Sequence, residues 1–409
     1  MKKYVLVLVF ICTVLLSFAE TGVVRRDRAI VRSGPGSLYE ILAELAQGSC
    51  FDIKSEEDGW LNIGYHELIG FVSKKVIEER KTGEDIFSKM GVQQSDLKIS
   101  QHGMSAGVKG FAERFTKSFQ GSPDFFEYYT SYRLDPRHYK DFRKETYKDF
   151  KLSKNLKKIP IPPSQSKEFF SFSEEGMGIG IAARIASLGL CGDKTLLDYL
   201  NNVGNIVVEA SDFYDTQFKF FILDTDKVNA YACPGGIVFI TRGMLNMIRT
   251  EAELACVLAH EIAHVARHHG MLEMEERRNQ IMSENAFADM EMEMDKLGIE
   301  KDDQIKAVEE ELEELSFQIF ETLINGRLEK YEKEADELAI IFASRAGYNG
   351  KEMLTLLNRL KTNSSQTTNE HYTQKQITDR LALIQKFLAK TNLPSDLFNQ
   401  KARWEKKNR

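Results

Sequence analysis

His260, Glu261 and His264 are the residues whose types and spacing could do chemistry. They lie in the stretch 250–270, TEAELACVLAHEIAHVARHHG. Histidines four apart stand one above the other on a helix face, so two imidazoles there can share one metal ion. Glu261 points roughly 100° round the helix from His260. It is too short to join them easily as a ligand, but it can reach a water beside the metal. Two imidazole ligands and a carboxylate base at H-E-x-x-H spacing suit zinc-assisted hydrolysis of a peptide bond. The plainer reading is a pair of satisfied core histidines, and the apolar setting argues for the metal.

The helix that must carry these groups is apolar nearly all round: Leu254, Ala255, Val257, Leu258, Ala259, Ile262, Ala263 and Val265. Such a helix is buried. Thr250 and Glu253 have capping-box spacing. His268, His269 and Gly270 offer an end, with Gly270 free to turn left-handed. Burying two imidazoles and a carboxylate without partners costs several kcal/mol, so the pattern predicts compensation. A zinc site needs a third protein ligand. His268 lies about 12 Å along the axis from His260, too far to share one ion with both. The better candidate is Glu332 in YEKEADELA, with Asp336 four residues on and on the same face. Glu332 could ligate while Asp336 orients an imidazole. Glu334, about 200° away from Glu332, is expected to face elsewhere.

Before the metal helix, Gln217–Asp224, Val228–Ala232 and Ile237–Thr241 read as strands, with Cys233-Pro234-Gly235-Gly236 as a turn. Pro234 confines its segment to an edge or turn. An edge strand there, Asn229, Ala230, Tyr231 and Ala232, could take an extended peptide as one more strand. Helices are expected over 176–188 and 196–210. The stretch 273–337 is acidic, with 22 Asp and Glu against 8 Lys and Arg, and 308–323 has helical spacing. It reads as a solvated face, with a lid over the cleft as the alternative.

The N-terminal part has a different grain. Residues 1–19 carry Lys2 and Lys3, then an apolar run, then Ser17-Phe18-Ala19. This reads as a cleaved signal peptide, pointing to export and to a bacterial periplasm. Membrane association follows only if the segment is retained as an anchor. Residues 22–79 alternate short strand candidates with turn clusters, which suggests a small β barrel. Residues 80–173 form a linker and a basic, aromatic connector with helical spacing at Phe111, Phe115 and Phe119. Its 14 Lys and Arg against 7 Asp and Glu over 98–158 could suit single-stranded nucleic acid. A helical layer packing on the next domain is the preferred reading, and the net charge of −6 argues against nucleic acid as a partner. Cys50, Cys191, Cys233 and Cys256 permit two disulfides, with small buried thiols as the default. Residues 389–409 read as a polar tail anchored by Trp404.

Two resemblances emerge from these residues. VRSGPGSLYEILAELAQGS, the turn before Trp60 and Gly70-Phe71-Val72 resemble the bacterial SH3-like (SH3b) domain. That implies binding to the cell wall or to a protein partner. NAYACPGGIVFITRGML, EAELACVLAHEIAHVARHHG and YEKEADELA, in that order, resemble the zinc peptidase family that includes the CAAX prenyl proteases, HtpX and the periplasmic BepA. The match covers 174–388. It implies a mainly α gluzincin core with a small β-sheet, one Zn2+, His260, His264 and Glu332 as ligands, Glu261 as base and Asp336 in support. Protein or peptide substrates follow, and protein quality control in the envelope. The soluble branch of that family often carries a His-Pro and then an Arg near its C-terminus. Here His371 is followed by Tyr372, and Arg380 comes three residues later than expected, so gating or oxyanion roles for His371 and Arg380 compete with plain helical roles. A binding or chaperone module with a shut metal site is the alternative to a protease. A cell-wall amidase is a weaker third.

Overall fold

The computed structural model describes residues 20–26, 28–78, 121–148, 159–162, 172–273, 317–321, 323, 327–363 and 374–407. The signal segment, the Phe111–Phe115–Phe119 stripe, His371 and most of the acidic stretch lie outside them. The chain divides into two compact units, 1–81 and 82–409.

The first unit is all β. Strands β1 (Glu20–Val23), β2 (Arg28–Arg32), β3 (Ile41–Ala46), β4 (Cys50–Glu57), β5 (Trp60–Tyr65) and β6 (Leu68–Ser73) pair antiparallel in the order β1-β4-β5-β6-β2-β3. Alternation along the strands turns Ala29, Val31, Leu61, Ile63 and Val72 inward to one core. Trp60 is buried, which makes it a packing residue. Gly70 lets β6 meet β2, since a Cβ there would stand 2.6 Å from Val31 Cγ1.

The second unit is mainly helical around a three-stranded sheet. Helices α1 (Pro123–Ser131) and α2 (Pro136–Thr146) come from the basic connector. They are followed by α3 (Phe172–Ala186) and α4 (Lys194–Glu209). Strands β7 (Lys219–Leu223), β8 (Ala230–Cys233) and β9 (Ile237–Thr241) form the sheet in the order β7-β9-β8, with β7 parallel and β8 antiparallel to β9. Both β7 and β9 are buried along their whole length, apolar except for Lys219 at the start of β7 and Thr241 at the end of β9. Phe125 of α1 packs on this sheet, its ring 5.3 Å from Phe221 and 5.6 Å from Phe239.

Next come α5 (Arg242–Met247), α6 (Glu251–Ala266), α7 (Glu329–Arg345), α8 (Glu352–Asn363), α9 (Gln374–Lys390) and α10 (Lys401–Lys407). None of the described helices is long and apolar enough to cross a membrane. The central helix, α6, is buried from end to end. It ends at Ala266, four residues before the expected Gly270, and the left-handed residue is His268 (φ 53°). The turn Pro234–Gly236 between β8 and β9 is set by positive φ at Gly235 and Gly236. Gly178 of α3 lies against it so closely that a Cβ would stand 2.0 Å from Pro234 O. That contact fixes where the free side of β8 falls.

The C-terminal segment is more than a polar tail. Trp404 is 2% exposed and donates through Nε1 to Ile248 O at 3.1 Å. Among the described residues Cys50, Cys191, Cys233 and Cys256 are free thiols, the last three buried and Cys50 exposed.

Candidate metal centre

The start of α6 is pinned three ways. Thr250 Oγ1 accepts from Glu253 N at 3.1 Å, which caps the helix. Glu253 is fully buried and takes both nitrogens of Arg359, each at 2.8 Å. Glu251 is also fully buried and accepts from Tyr199 Oη, from Tyr348 Oη at 2.7 Å and from Arg403. Buried carboxylates persist only when paired in this way. The first turn of the helix is thereby fixed to α4, α8 and α10.

Two turns later His260 and His264 point their Nε2 atoms together, 3.0 Å apart. From α7, Glu332 places Oε2 3.4 Å from His260 Nε2 and Oε1 3.3 Å from His264 Nε2. Atoms held at about 2.0–2.1 Å by one tetrahedral zinc stand about 3.3 Å from each other. The triangle of two imidazole nitrogens and a carboxylate therefore fits that ion in both spacing and donor chemistry. Among the described residues it is the one cluster able to hold a metal.

Around the triangle the polar groups are satisfied by charge. His260 Nδ1 lies 3.0 Å from Asp336 Oδ1. Arg380 of α9 donates to Asp336 at 2.8 and 2.6 Å, and its Nη1 lies 3.1 Å from Glu332 Oε2. Burial alone would raise the Glu332 and Asp336 carboxyls, but Arg380 and the imidazoles outweigh it and hold both below the usual range. Burial works against a charged His260, yet Asp336 and Glu332 raise it to about 9. His264 is pushed well down by burial. Glu261 is raised to about 7 by burial.

These groups open into a cavity of about 280 Å³. Its wall includes Asn229, Ala230, Tyr231 and Ala232 on one side and Arg327, Lys375 and Arg380 on others. Strand β8 is an edge of the sheet, so the cavity joins the triangle to an unpaired strand side.

The family model for peptidase family M48 matches residues 197–389. That span holds both imidazoles, both acids and the edge strand. The chain carries an M48 peptidase domain. Three relatives show how far the likeness extends. A beta-barrel assembly-enhancing protease of Yersinia pestis is 39% identical over 93 residues, 23% of this chain and 19% of that protein. The one from Escherichia coli (strain K12) is 35% identical over 92 residues, 22% of this chain and 19% of that protein. The mitochondrial metalloendopeptidase OMA1 of Schizosaccharomyces pombe is 39% identical over 71 residues, 17% of this chain and 21% of that protein. The chain thus spans about a fifth of the length of these curated relatives.

Within the M48 domain the predicted site residues come together, except His371, which lies outside the described residues. Glu334 turns away from the triangle, as its helical angle implies, to Arg267 Nε at 3.1 Å. Sequence reasoning missed three neighbours. Arg327 donates through Nη2 to Ala232 O at 3.0 Å, and its buried Nη1 has no partner among the described residues. Arg267 donates to Pro162 O. His269, which the spacing puts at a helix end, lies against His264 with Nδ1 atoms 2.9 Å apart. Arg327 sits in a polar stretch with no periodic signal. His269 was legible only as one histidine of a pair.

Proposed function

We propose that this chain is a zinc-dependent endopeptidase that cleaves exported or envelope proteins as part of their quality control. The observation that carries the reading is the triangle of His260, His264 and Glu332, with Glu261 beside it and an edge strand in the same cavity. Zinc, when bound, supplies a Lewis acid for the scissile carbonyl and makes a water more acidic. His260, His264 and Glu332 would hold it. Glu261 takes a proton from the attacking water and hands it to the leaving amine nitrogen. Its burial favours this, since a carboxyl near 7 both accepts and returns a proton at neutral pH. Asp336 orients His260. Arg380 spends its donors on Asp336 and Glu332, so its role here is to hold the ligand helix in place.

The substrate docks as a strand beside β8. Asn229 O accepts from Thr241 N at 3.1 Å, so along the register the backbone groups of Tyr231 and Cys233 face β9 and those of Ala230 and Ala232 face outward. Ala230 N already donates to Asn229 Oδ1 at 2.9 Å, and Ala232 O accepts from Arg327. Ala230 C=O and Ala232 N–H are the outward groups left for a peptide. Envelope substrates are carried over from relatives whose name speaks of β-barrel assembly, and an exported location rests on the signal-like segment 1–19. Cell-wall or protein binding by the β unit rests on its likeness to SH3-like domains.

The deciding experiment is zinc content by mass spectrometry on wild type and Glu332→Ala. One zinc per chain, lost or sharply reduced in the variant, is expected. Zinc-free wild type, or unchanged zinc in the variant, defeats the ligand assignment.

A further inference from the structure

His264 has its own supporting partner, and it is a residue that helical spacing places elsewhere. On a continuous helix His268 would be the neighbour of His264, and His269 would stand about 140° round from it. The helix is interrupted there: α6 ends at Ala266 with Arg267 as its C-cap, and His268 turns left-handed at φ 53°. His268 then packs on Phe213, ring centres 6.1 Å apart. His269 is swung back instead, and its Nδ1 comes to 2.9 Å from His264 Nδ1. Its ring is fully buried and lies 4.7 Å from the ring of Tyr331, at an interplanar angle of 37°.

The protons in this contact are determined by the site. If His264 offers the Nε2 lone pair to a metal, its Nδ1 carries the hydrogen. His269 Nδ1 must then accept it. A neutral imidazole with an accepting Nδ1 has its own hydrogen on Nε2. That nitrogen lies 3.4 Å from Glu334 Oε2. Glu334 is in turn 3.1 Å, through Oε1, from Arg267 Nε. The order is therefore His264, His269, Glu334, with the Arg267 guanidinium as the opposite charge behind Glu334.

We propose that His269 is the positioning residue for the metal ligand His264, and that Glu334 fixes the His269 tautomer from the far side. The two imidazole ligands are then supported differently. Asp336 serves His260 with a carboxylate, and His269 serves His264 with a neutral ring. The inference rests on the zinc reading above and adds to it a partner that decides how firmly His264 is held.

The test is zinc affinity of the full chain by chelator competition, with the visible absorption of the Co2+-substituted protein as a second readout. Loss of an outer partner of a metal ligand lowers affinity about 10–100-fold. His269→Leu should show that loss and a changed Co2+ spectrum. His269→Gln, whose amide oxygen can accept from Nδ1–H, should recover much of both. Glu334→Gln, at a side chain 42% exposed, should fold normally and weaken zinc by a smaller factor. If His269→Leu binds zinc as wild type does with an unchanged spectrum, the positioning role is wrong and the metal site stands. If His269→Leu fails to fold, wild-type affinity in both His269→Gln and Glu334→Gln, with unchanged Co2+ spectra, overturns the role. If wild type itself binds no zinc, the metal reading falls and takes this one with it.

Discussion

Glu261 shows how one carboxylate is prepared by where it sits. It is 6% exposed, and burial lifts it to about 7. A base acts only when ionised, so cleavage should rise with pH on the acid side, and a cation bound beside Glu261 moves that limb below 7. Glu261→Gln keeps the shape and removes the base. It should retain zinc and lose about 10²–10⁴-fold in kcat. The check is steady-state cleavage of an unfolded protein beside metal analysis of the same sample. Retained cleavage would sink Glu261 as the base.

Two elements make predictions of their own. The first is the end of α6, where a histidine holds a left-handed turn. Glycine adopts that conformation freely and a β-branched residue does not. His268→Gly should therefore melt close to wild type and bind zinc as well. His268→Val should do worse in both, read by thermal unfolding and chelator competition. Equal behaviour of the two variants would mean the turn is not what seats His269. The second is β7, where Lys219 is 6% exposed, donates to Tyr129 O at 2.6 Å and lies 4.1 Å from that ring's centre. Burial lowers its pKa from 10.5 to about 7. Between those values the unfolded chain binds the extra proton, so this group makes stability rise with pH. Its penalty is full below about 7 and fades toward 10.5. Lys219→Met should stabilise the protein at pH 6, and the gain should shrink by pH 10. A gain independent of pH in paired melts would show that Lys219 stays charged throughout.

At the scale of the whole second unit, the C-terminal helix closes the structure onto the start of the metal helix. Arg403 of α10 pairs with Glu251, and Trp404 caps Ile248 O. Glu251 has no exposure, so removing its cation leaves a charge in the interior. Breaking such a pair costs about 3–5 kcal/mol. Arg403→Ala should lower stability by that order in urea titration, more than any nearby surface change. A loss under about 1 kcal/mol would place the support of α6 in Tyr199 and Tyr348 instead.

The local pattern of this chain was enough to place the helix that carries His260, Glu261 and His264, its N-cap, the strand runs and the faces of α7. Each depends on spacing along one element: four residues between ligands, three between cap and acceptor, two between inward strand positions. Glu332 and Asp336 were legible for the same reason, since both lie on one helix face. What spacing could not decide was contact between distant segments. Arg380 comes from a separate helix and Arg327 from a polar stretch. Glu251 meets Arg403 across 152 residues, and nothing along the chain marks two surface-type residues as a buried pair. The end of α6 was misplaced because Gly270 is the residue with a local preference for the turn. Tertiary packing of His268 on Phe213 and of His269 on His264 puts the turn two residues earlier. Local preference is a fraction of a kcal/mol to about 1 kcal/mol per residue, and packing of buried groups exceeds it.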